Sequence, residues 1–296
     1  MSCLKPQLAV ILGSNKEGAE RKIKFIRRSD WSYSYVVSRY GLENVLLLPC
    51  GKCPECKKRY RRDWSIRCMA EASCHKDNCF ITLTYDELHY KHHDIDDLQK
   101  FFKRLRSYLG VERIKYFACH EAGGQTGRWH WHAVIFGWFP SDAKVDYINP
   151  LGQRLYKSAI LERLWPFGFC NVAEVSKDTC SYVAGYTAKK ENPIFPGKLF
   201  MSRRPGLGYQ FFKANGKKIL HSGSCVIPGF GVVPVPRYGL DVIAAEGYDI
   251  TTIKDDKFRL AHIKLVNDCI DNSYLEIDQA IYQVPTSVLS SRKRGL

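Results

Sequence analysis

The amino-acid sequence predicts an α+β fold, in which a split βαβ, ferredoxin-like antiparallel sheet carries helices on one face. Segments rich in aromatic and β-branched residues, typical of strands, alternate with segments whose apolar residues recur at helical spacing. Glycine, proline and helix-capping residues separate these segments. The resulting order is strand, helix, strand, strand, helix and strand, followed by one more helix.

Each element of this core has its own signal. The predicted strands are 79–85, 114–121, 129–137 and 169–175. The first helix begins near Asp94, whose carboxylate suits an N-cap, and ends before Gly110. Its apolar face is formed by Leu98, Phe101, Phe102, Leu105 and Leu109. The second helix, 158–165, is stopped by Pro166. Asp178 is the expected N-cap of the last helix.

The sequence changes character on both sides of this core. We expect a Cys-rich, basic segment at 1–75, the sheet-forming core at 76–195 and a C-terminal extension at 196–296. The flanking regions carry weaker signals for a strand, a basic helix, an amphipathic helix and a mobile basic tail, at 31–40, 56–72, 258–278 and 290–296.

The charge of the chain favours a polyanionic partner. Among 296 residues, 45 Lys and Arg outweigh 30 Asp and Glu, and the formal net charge is +15. Each phosphate that such a protein neutralises releases counterions, although a basic protein without a nucleic-acid role has the same charge signature. No apolar run reaches the length of a membrane span, so we expect a cytosolic protein with no membrane partner. Its twelve cysteines are then expected as thiols or metal ligands.

Two histidines in the third predicted strand suggest a metal site. Because side chains alternate between the faces of a strand, His130 and His132 point one way and Trp131 points the other. Glu121 is expected to add a carboxylate across a glycine-rich turn, and His120 is a rival that faces the opposite side. This donor set suits Mn²⁺ or Mg²⁺. The alternative is that the histidines are core residues.

A pair of tyrosines follows on the last predicted helix. Tyr182 and Tyr186 stack one turn apart, so both hydroxyls reach the same region. A tyrosine hydroxyl can attack phosphorus and remain linked as phosphotyrosine, which conserves bond energy and requires no ATP. Lys189 and Lys190 are placed to contact the phosphate or to lower the pKa of the phenol. The alternative is that one tyrosine packs on the sheet and the lysines are solvated.

These motifs together resemble those of the HUH endonucleases, the superfamily of rolling-circle replication initiators and relaxases. The segments that carry the resemblance are FITLTY at 80–85, HWH at 130–132 and YTAK at 186–189. In initiators of circular single-stranded DNA viruses, a metal-binding glutamate precedes the histidines at a spacing like that between Glu121 and His130. The resemblance therefore implies a metal-dependent endonuclease with a phosphotyrosine intermediate.

Further motifs resemble the replication initiators of gokushovirus-type microviruses. They are PCGKC at 49–53, RCM at 67–69, NCFITLTYD at 78–86, YV at 182–183, SRRPGLG at 202–208 and PRY at 236–238. This resemblance implies a nickase that cuts phage origin DNA, stays attached to the 5′ end and rejoins the strand in the bacterial host cytoplasm. The sequence has no phosphate-binding loop of a helicase, so we expect host helicase and polymerase as partners.

Three cysteines at three-residue intervals indicate a second metal site. Cys50, Cys53 and Cys56 have the spacing of zinc ligands. A tetrahedral structural Zn²⁺ needs a fourth ligand, for which the sequence offers Cys68, Cys74 and His75. The alternative is three reduced thiols on a turn.

Basic residues follow this cluster directly and are interleaved with Tyr60 and Trp64. Binding of single-stranded DNA requires cations that track the phosphates and aromatic rings that stack on bases. The predicted DNA contacts are Lys57, Lys58, Arg59, Arg61, Arg62, Arg203 and Arg204. The alternative is a solvated charged face whose aromatic rings point into the core.

The sequence leaves two other functions open. A non-catalytic, zinc-stabilised nucleic-acid-binding protein would use the same histidines and tyrosines for structure. An HUH transposase or relaxase would share the chemistry, and only the gokushovirus-like motifs argue against it. Formation of a covalent protein–DNA adduct separates the enzymes from the binding protein.

Overall fold

The structure is a computed structural model, and its described residues form two compact units. These residues are 3, 7–12, 22–27, 33–41, 44–90, 94–110, 114–123, 127–150, 152–185, 198–254 and 256. One unit combines Met1–Arg59 with Thr251–Leu296, and the other is Tyr60–Ile250. The three regions predicted from the sequence stay a prediction.

Two predicted elements, the helix at 258–278 and the basic tail at 290–296, lie outside the described residues. Within the part of the chain that the structure describes, no helix combines the length and the apolar character that crossing a membrane requires.

The first unit contains a three-stranded antiparallel sheet in the order β2–β1–β3. Its elements are β1 (Gln7–Leu12), β2 (Lys22–Phe25), α1 (Tyr33–Tyr40) and β3 (Val45–Leu48). The predicted strand at 31–40 is wrong, because the structure has a helix from Tyr33 onward. Val36, Val37 and Tyr40 recur at helical spacing, and this face packs against the small core of the sheet.

The second unit contains a sheet with the described strand order β10–β5–β6–β4–β9–β8–β7, in which neighbouring strands are antiparallel. The elements from α2 onward are α2 (Pro54–Ala72), β4 (Asn78–Thr84), α3 (Asp96–Leu109), β5 (Lys115–Ala122), β6 (Trp129–Phe136), β7 (Lys144–Ile148), β8 (Arg154–Lys157), α4 (Ala159–Leu164), β9 (Cys170–Glu174), α5 (Lys177–Gly185), β10 (Lys198–Met201), α6 (Tyr209–Ser222), β11 (Ser224–Ile227), β12 (Gly231–Pro234) and α7 (Arg237–Ala245). Counted along the chain, the core strands β4, β5, β6 and β9 lie in the order 4-1-3-2. The predicted α+β, ferredoxin-like fold is therefore confirmed.

Helices cover both faces of this sheet. On one face, α3 and α4 pack over a core cluster around Trp131. On the other face, Trp64 of α2 stacks on Phe117 of β5 with ring centroids 5.0 Å apart, and α5 packs over β5 and β6. The prediction of helices on a single face is wrong. The physical reason is that the second face also carries fully buried apolar residues, Phe117, Val134 and Phe136, which need a cover of their own.

Three further strands widen the predicted sheet. The hairpin of β7 and β8 adds to the edge at β9, and β10 pairs with β5 at the other edge. The sequence did not predict β7, because all residues of Lys144–Ile148 are exposed and no apolar alternation marks the strand. After β10, α6 and α7 pack against each other around buried Phe212 and Ile243.

Helix caps decide where α3 and α4 begin and end. The Asp94 carboxylate accepts a hydrogen bond from the Asp96 N–H, in agreement with the predicted start of α3. Gly110 ends α3 in the left-handed conformation with φ 63°, as predicted. Ser158 caps α4, where its hydroxyl accepts the Leu161 N–H.

The start of α5 differs from the prediction. Asp178 is not the N-cap, because α5 already begins at Lys177. Ser176 and Thr179 form the cap instead: the Thr179 N–H donates to Ser176 Oγ at 3.2 Å, and the Ser176 N–H donates to Thr179 Oγ1 at 2.8 Å. Asp178 lies in the first turn, where its negative charge complements the helix dipole.

A buried carboxylate joins α2 to β5 and to the residue before α6. Glu71 is 1% exposed, and its oxygens accept hydrogen bonds from Lys115 Nζ at 3.0 Å and from the Gly208 N–H at 2.7 Å. His75 Nε2 lies 2.9 Å from the same carboxylate. Burial by itself raises the pKa of Glu71, but these three groups together lower it below its ordinary value.

Replacing Glu71 tests this connection. Glu71→Gln should lower the free energy of unfolding at neutral pH by about 3 kcal/mol, because the half-buried Lys115 ammonium loses its charged partner. Since the folded-state pKa of Glu71 is lowered, its contribution is complete above the ordinary value of 4.5 and is lost as the pH falls through the folded-state pKa. Urea unfolding at several pH values should therefore show a flatter acid dependence for Glu71→Gln. Parallel curves for the two proteins would contradict this assignment, and Glu162→Gln, at an exposed position, is the control.

Candidate metal and tyrosine site

The hairpin of β5 and β6 places three metal-binding side chains on one face of the sheet. Glu121 lies directly opposite His130 in the antiparallel register, and His132 follows on the same face. Glu121 Oε2 is 3.5 Å from His130 Nε2 and 3.7 Å from His132 Nε2. One ligand atom from each residue lies within 4.8 Å of the other two. The structure thus brings together the three residues that the sequence singled out as ligands.

Each imidazole of this cluster is held through its other ring nitrogen. His132 Nδ1 is 3.1 Å from the hydroxyl of Thr82, which faces it across the β4–β6 register. His130 Nδ1 is 3.2 Å from the carbonyl oxygen of Arg128. A carbonyl only accepts, so His130 Nδ1 carries the proton and Nε2 keeps its lone pair. These contacts direct both Nε2 atoms towards Glu121, as hydrogen-bonded partners orient metal-ligating histidines in general.

The donor set of this cluster fits one divalent cation. Two ligand atoms that are each about 2.1 Å from a common ion lie about 3.0 to 4.2 Å apart, and both measured distances fall in that interval. One carboxylate and two imidazoles suit Mn²⁺ and also Mg²⁺, which retains several water ligands. Three protein ligands leave coordination positions open for substrate oxygen.

Tyr182 reaches this cluster from α5. Its hydroxyl lies 3.4 Å from His132 Nε2, and its ring meets the imidazole edge-on with centroids 4.9 Å apart. Phe80 stacks on the same imidazole and contacts the Tyr182 ring by its edge. The Tyr182 side chain is 42% exposed, so its phenol is open to a substrate at the cluster.

Side chains of α2 hold α5 in this place. The Arg61 guanidinium donates to the carbonyl oxygen of Ser181 at 2.7 Å, and the hydroxyls of Ser65 and Ser181 are 2.9 Å apart. A Cβ at Gly185 would lie 3.6 Å from the Arg61 guanidinium, so Arg61 also passes close to the end of α5. The sequence suggested only a DNA contact for Arg61, and its hydrogen bond to the tyrosine helix was missed.

Not all predicted site residues are part of this arrangement. Tyr186, Lys189 and Lys190 lie outside the described residues, and their roles stay predictions. His120, the rival third ligand, lies on the opposite face of the sheet. Its ring is sandwiched between Trp129 at 4.3 Å and Trp131 at 4.1 Å, measured between ring centroids.

Comparison with known proteins gives the wider context of this site. A family model for the replication-associated protein ORF2 matches residues 78–191, which include the cluster and Tyr182. Replication-associated protein VP4 of Bdellovibrio phage phiMH2K is 33% identical over 212 residues, which cover 65% of this chain and 66% of that protein. The chain is a homologue of phage replication-associated proteins.

Two more replication-associated proteins belong to the same group. ORF4 of Chlamydia phage 1 is 33% identical over 215 residues, 66% of this chain and 53% of that protein. ORF2 of Spiroplasma virus 4 is 28% identical over 263 residues, 80% of this chain and 79% of that protein. The match therefore spans less than two thirds of the length of the first two relatives. The resemblance to microvirus-type replication proteins is confirmed, and no solved structure matches the chain.

This replication-associated homologue also gathers four cysteines in its first unit: Cys3, Cys50, Cys53 and Cys56. The Sγ atoms of Cys3 and Cys53 are 3.8 Å apart, and those of Cys50 and Cys56 are 4.0 Å apart. Four thiolates at about 2.3 Å from a tetrahedral zinc ion have sulfurs about 3.8 Å apart. The cluster therefore has the size of a Cys₄ metal site.

The fourth sulfur belongs to Cys3, which sequence reasoning missed. The three predicted candidates lie elsewhere: Cys68 is buried, Cys74 is exposed and His75 contacts a glutamate of α2. Spacing could not have found Cys3, because 47 residues separate it from Cys50. The available signal was that Cys3 is the only cysteine that precedes Cys50 in the chain.

The backbone around Cys50 favours the thiolate that binds metal. Gly51 adopts φ 71°, a conformation in which glycine avoids strain, and the Cys53 N–H donates to Cys50 Sγ at 3.3 Å. Burial raises the pKa of Cys50, but hydrogen bonds from the N–H groups of Lys52 and Cys53 together bring it down to about 6. Burial raises the pKa of Cys56. At least one sulfur is therefore poised as the deprotonated ligand form.

The cations predicted to contact DNA lie mostly on the surface. Those exposed are Lys58, Arg59, Arg61, Arg62, Arg203 and Arg204, whereas Lys57 is half-buried. Among the interleaved aromatic residues, Tyr60 is 50% exposed and Trp64 is buried. Tyr60 is thus open to a base, and Trp64 belongs to the core. DNA contact by these residues stays a prediction.

The hydroxyl of Thr82 offers a test of the metal cluster that leaves its three ligands intact. Thr82→Val should lower the affinity for Mn²⁺ about 10- to 100-fold, because His132 loses the contact that orients its ring. Free Mn²⁺ measured by electron paramagnetic resonance gives the affinity. The matched control is Thr84→Val, since the Thr84 hydroxyl donates to the Phe169 carbonyl and not to an imidazole. An equal effect of both substitutions would contradict the orienting role.

Proposed function

We propose that the chain is a site-specific single-strand DNA endonuclease of the HUH type, which nicks and rejoins DNA to initiate rolling-circle replication of a small circular single-stranded DNA phage. One observation carries the proposal: the Tyr182 hydroxyl lies 3.4 Å from Nε2 of His132, beside Glu121 and His130. Cleavage through a phosphotyrosine requires such a pairing of a phenol with a metal-binding cluster. The name of the homologues, replication-associated protein, supports a role in phage replication.

In this proposal Tyr182 is the nucleophile. Its Oη forms a bond to the scissile phosphorus while the P–O3′ bond breaks, so the 5′ DNA end stays on the protein. The phenol proton passes to solvent, and the departing 3′ oxygen takes up a proton to become a hydroxyl. The phosphotyrosine conserves the bond energy. Later attack by a 3′ hydroxyl therefore rejoins the strand without ATP.

Glu121, His130 and His132 would hold Mg²⁺ or Mn²⁺ for this reaction. Such an ion polarises the phosphate and neutralises its developing charge when bound. Thr82 and the carbonyl of Arg128 keep both Nε2 atoms in their orientation. The side chains thus hold the phosphate and the phenol at one place, and this positioning favours an in-line attack.

A second tyrosine extends the chemistry to two successive transfers. Tyr186 follows Tyr182 by one helical turn, so one tyrosine can hold the first DNA end while the other cuts again. Lys189 and Lys190 assist through positive charge near the phosphate or the phenol.

The proposed substrate is the single-stranded origin of the phage genome. The net charge of +15 favours it, and the exposed cations of α2 together with Arg203 and Arg204 are the proposed backbone contacts. We assign DNA contact to 1–75 and 196–296 and catalysis to 76–195. Host helicase and polymerase supply unwinding and synthesis, and the reaction takes place in the bacterial host cytoplasm.

A covalent-adduct assay tests the nucleophile. The protein is incubated with Mn²⁺ or Mg²⁺ and with 3′-labelled oligonucleotides that tile the phage genome, and labelled protein is expected on a denaturing gel. The double variant Tyr182→Phe with Tyr186→Phe should form no adduct, because it lacks both phenols. His130→Ala should not cut but should keep most of its DNA affinity, since phosphate contacts dominate that affinity.

The control for this assay is Tyr108→Phe, at an exposed tyrosine on α3, which should form the adduct normally. DNA binding without an adduct under both metals would favour the non-catalytic nucleic-acid-binding protein. Cutting by His130→Ala would refute the ligand assignment. A mapped cut at one origin sequence separates a rolling-circle initiator from a transposase or relaxase.

We also propose that Cys3, Cys50, Cys53 and Cys56 bind one structural Zn²⁺. The sulfur spacing and the N–H groups that face Cys50 support this assignment. Four thiolates close the coordination shell, which is typical of a structural ion and leaves no position for a substrate. The ion would join residue 3 to the start of α2 within the first unit.

Zinc analysis of purified protein tests this site. The wild type should contain one Zn²⁺ per chain, and Cys3→Ser should retain well under half of it, because the site loses one of four ligands. The matched control is Cys74→Ser, at an exposed cysteine outside the cluster, which should keep its zinc. Loss of zinc from Cys74→Ser together with retention by Cys3→Ser would show that the fourth ligand is wrong.

A further inference from the structure

An exposed phenylalanine lies on the sheet face that carries the metal cluster. Phe169 directly precedes β9 and is 76% exposed, although a phenylalanine at a strand end normally packs into the core. Its neighbour Cys170 points the other way and packs against the buried cluster around Trp131. The exposure of Phe169 therefore follows from the alternation of the strand and not from a loose loop.

Strand registers put Phe169 in line with the metal cluster. Glu121 pairs with His130, and His130 pairs with Thr84 of β4. The ladder between β4 and β9 continues to Phe169, whose carbonyl accepts the Thr84 N–H at 2.8 Å. Residues directly opposite each other in antiparallel strands share a face. Glu121, His130, Thr84 and Phe169 thus form one row across four strands.

The backbone beneath Phe169 is held firmly. The Thr84 hydroxyl donates a second hydrogen bond to the Phe169 carbonyl at 2.8 Å, and the Asp86 N–H donates to the Phe167 carbonyl at 2.9 Å. Gly168 permits this approach, since a Cβ there would lie 2.5 Å from the Asp86 nitrogen and 2.6 Å from the Thr84 oxygen. The ring of Phe169 is therefore presented on a fixed platform.

We propose that Phe169 stacks on a base of single-stranded DNA whose scissile phosphate lies at Glu121, His130 and His132. Two strand spacings, about 9.6 Å, separate the backbones of His130 and Phe169. Successive phosphates of a stacked strand are about 3.4 Å apart along its axis, so the stacked base lies within about three nucleotides of the cut. An aromatic ring accepts the face of any base, whereas the cations of the chain hold the phosphates. Phe169 is thus a substrate-binding residue, and its assignment rests on the function proposed above.

The test measures DNA binding without added Mg²⁺ or Mn²⁺, so that cutting does not interfere. Fluorescence anisotropy with dT15 gives the affinity of each variant. Phe169→Ala should weaken binding about 5- to 150-fold, the range for one stacked base. Phe169→Trp should restore it to within about twofold of the wild type. Val232→Ala, at a side chain that is 72% exposed on β12, should have no effect.

An abasic 15-mer separates stacking from other effects of the substitution. On this oligomer Phe169→Ala should bind like the wild type, because there is no base to stack on. An equal loss on dT15 and on the abasic oligomer, or no loss on either, would overturn the proposal. In addition, dT15 with 5-iododeoxyuridine should cross-link to Phe169 under ultraviolet light, and absence of this cross-link would count against it.

These readouts do not depend on cleavage, so the two proposals can fail separately. A base-dependent loss in Phe169→Ala with no covalent adduct in the wild type would support the stacking site and reject the nuclease. An adduct that forms in the wild type, combined with no base-dependent effect at Phe169, would reject the stacking site alone.

Discussion

The antiparallel register of β5, β6 and β4 is the constraint on which the site depends. It sets Glu121 opposite His130 and Thr82 opposite His132, so the carboxylate, both imidazoles and the orienting hydroxyl share one face. A slip by one residue would turn this entire set into the core and expose Trp131. The fully buried Trp131, whose indole N–H donates to the Tyr85 hydroxyl at 3.0 Å, opposes such a slip from the other face. The packing of one face thereby secures the chemistry of the other.

The two faces of the sheet divide the work of the molecule. The face under α3 and α4 is a conventional apolar core. The other face is covered by α2 and α5 over β5 and β6, while Phe169 and Tyr182 remain exposed there. Because Arg61 and Ser65 of α2 bond to Ser181 of α5, the helix that carries the candidate nucleophile is fixed to a second element. This arrangement keeps the Tyr182 hydroxyl beside His132 while leaving it accessible, as attack on a DNA phosphate requires.

Much of the fold could be predicted from local signals. The strand with His130 and His132, the start of α3 near Asp94 and the stop at Gly110 are marked by alternation and capping chemistry. The helix at Tyr33–Tyr40 was mistaken for a strand, because short apolar segments rich in aromatic and β-branched residues fit both periods. The hairpin of β7 and β8 was missed because a fully exposed strand has no apolar pattern. Cys3 was missed because spacing rules read only ligands that are close in sequence.

The sequence by itself determined the residue types and their local order: two histidines on one strand face, tyrosines at helical spacing, three cysteines in a turn and an excess of positive charge. Alternation and helical periodicity are local properties, so they can be read without a fold. Only the tertiary structure decided which distant groups meet. It brought the Tyr182 hydroxyl to His132, Cys3 to Cys53 and Phe169 into line with His130. These encounters depend on strand order and on helix packing across the sheet, and no local spacing in the chain encodes them.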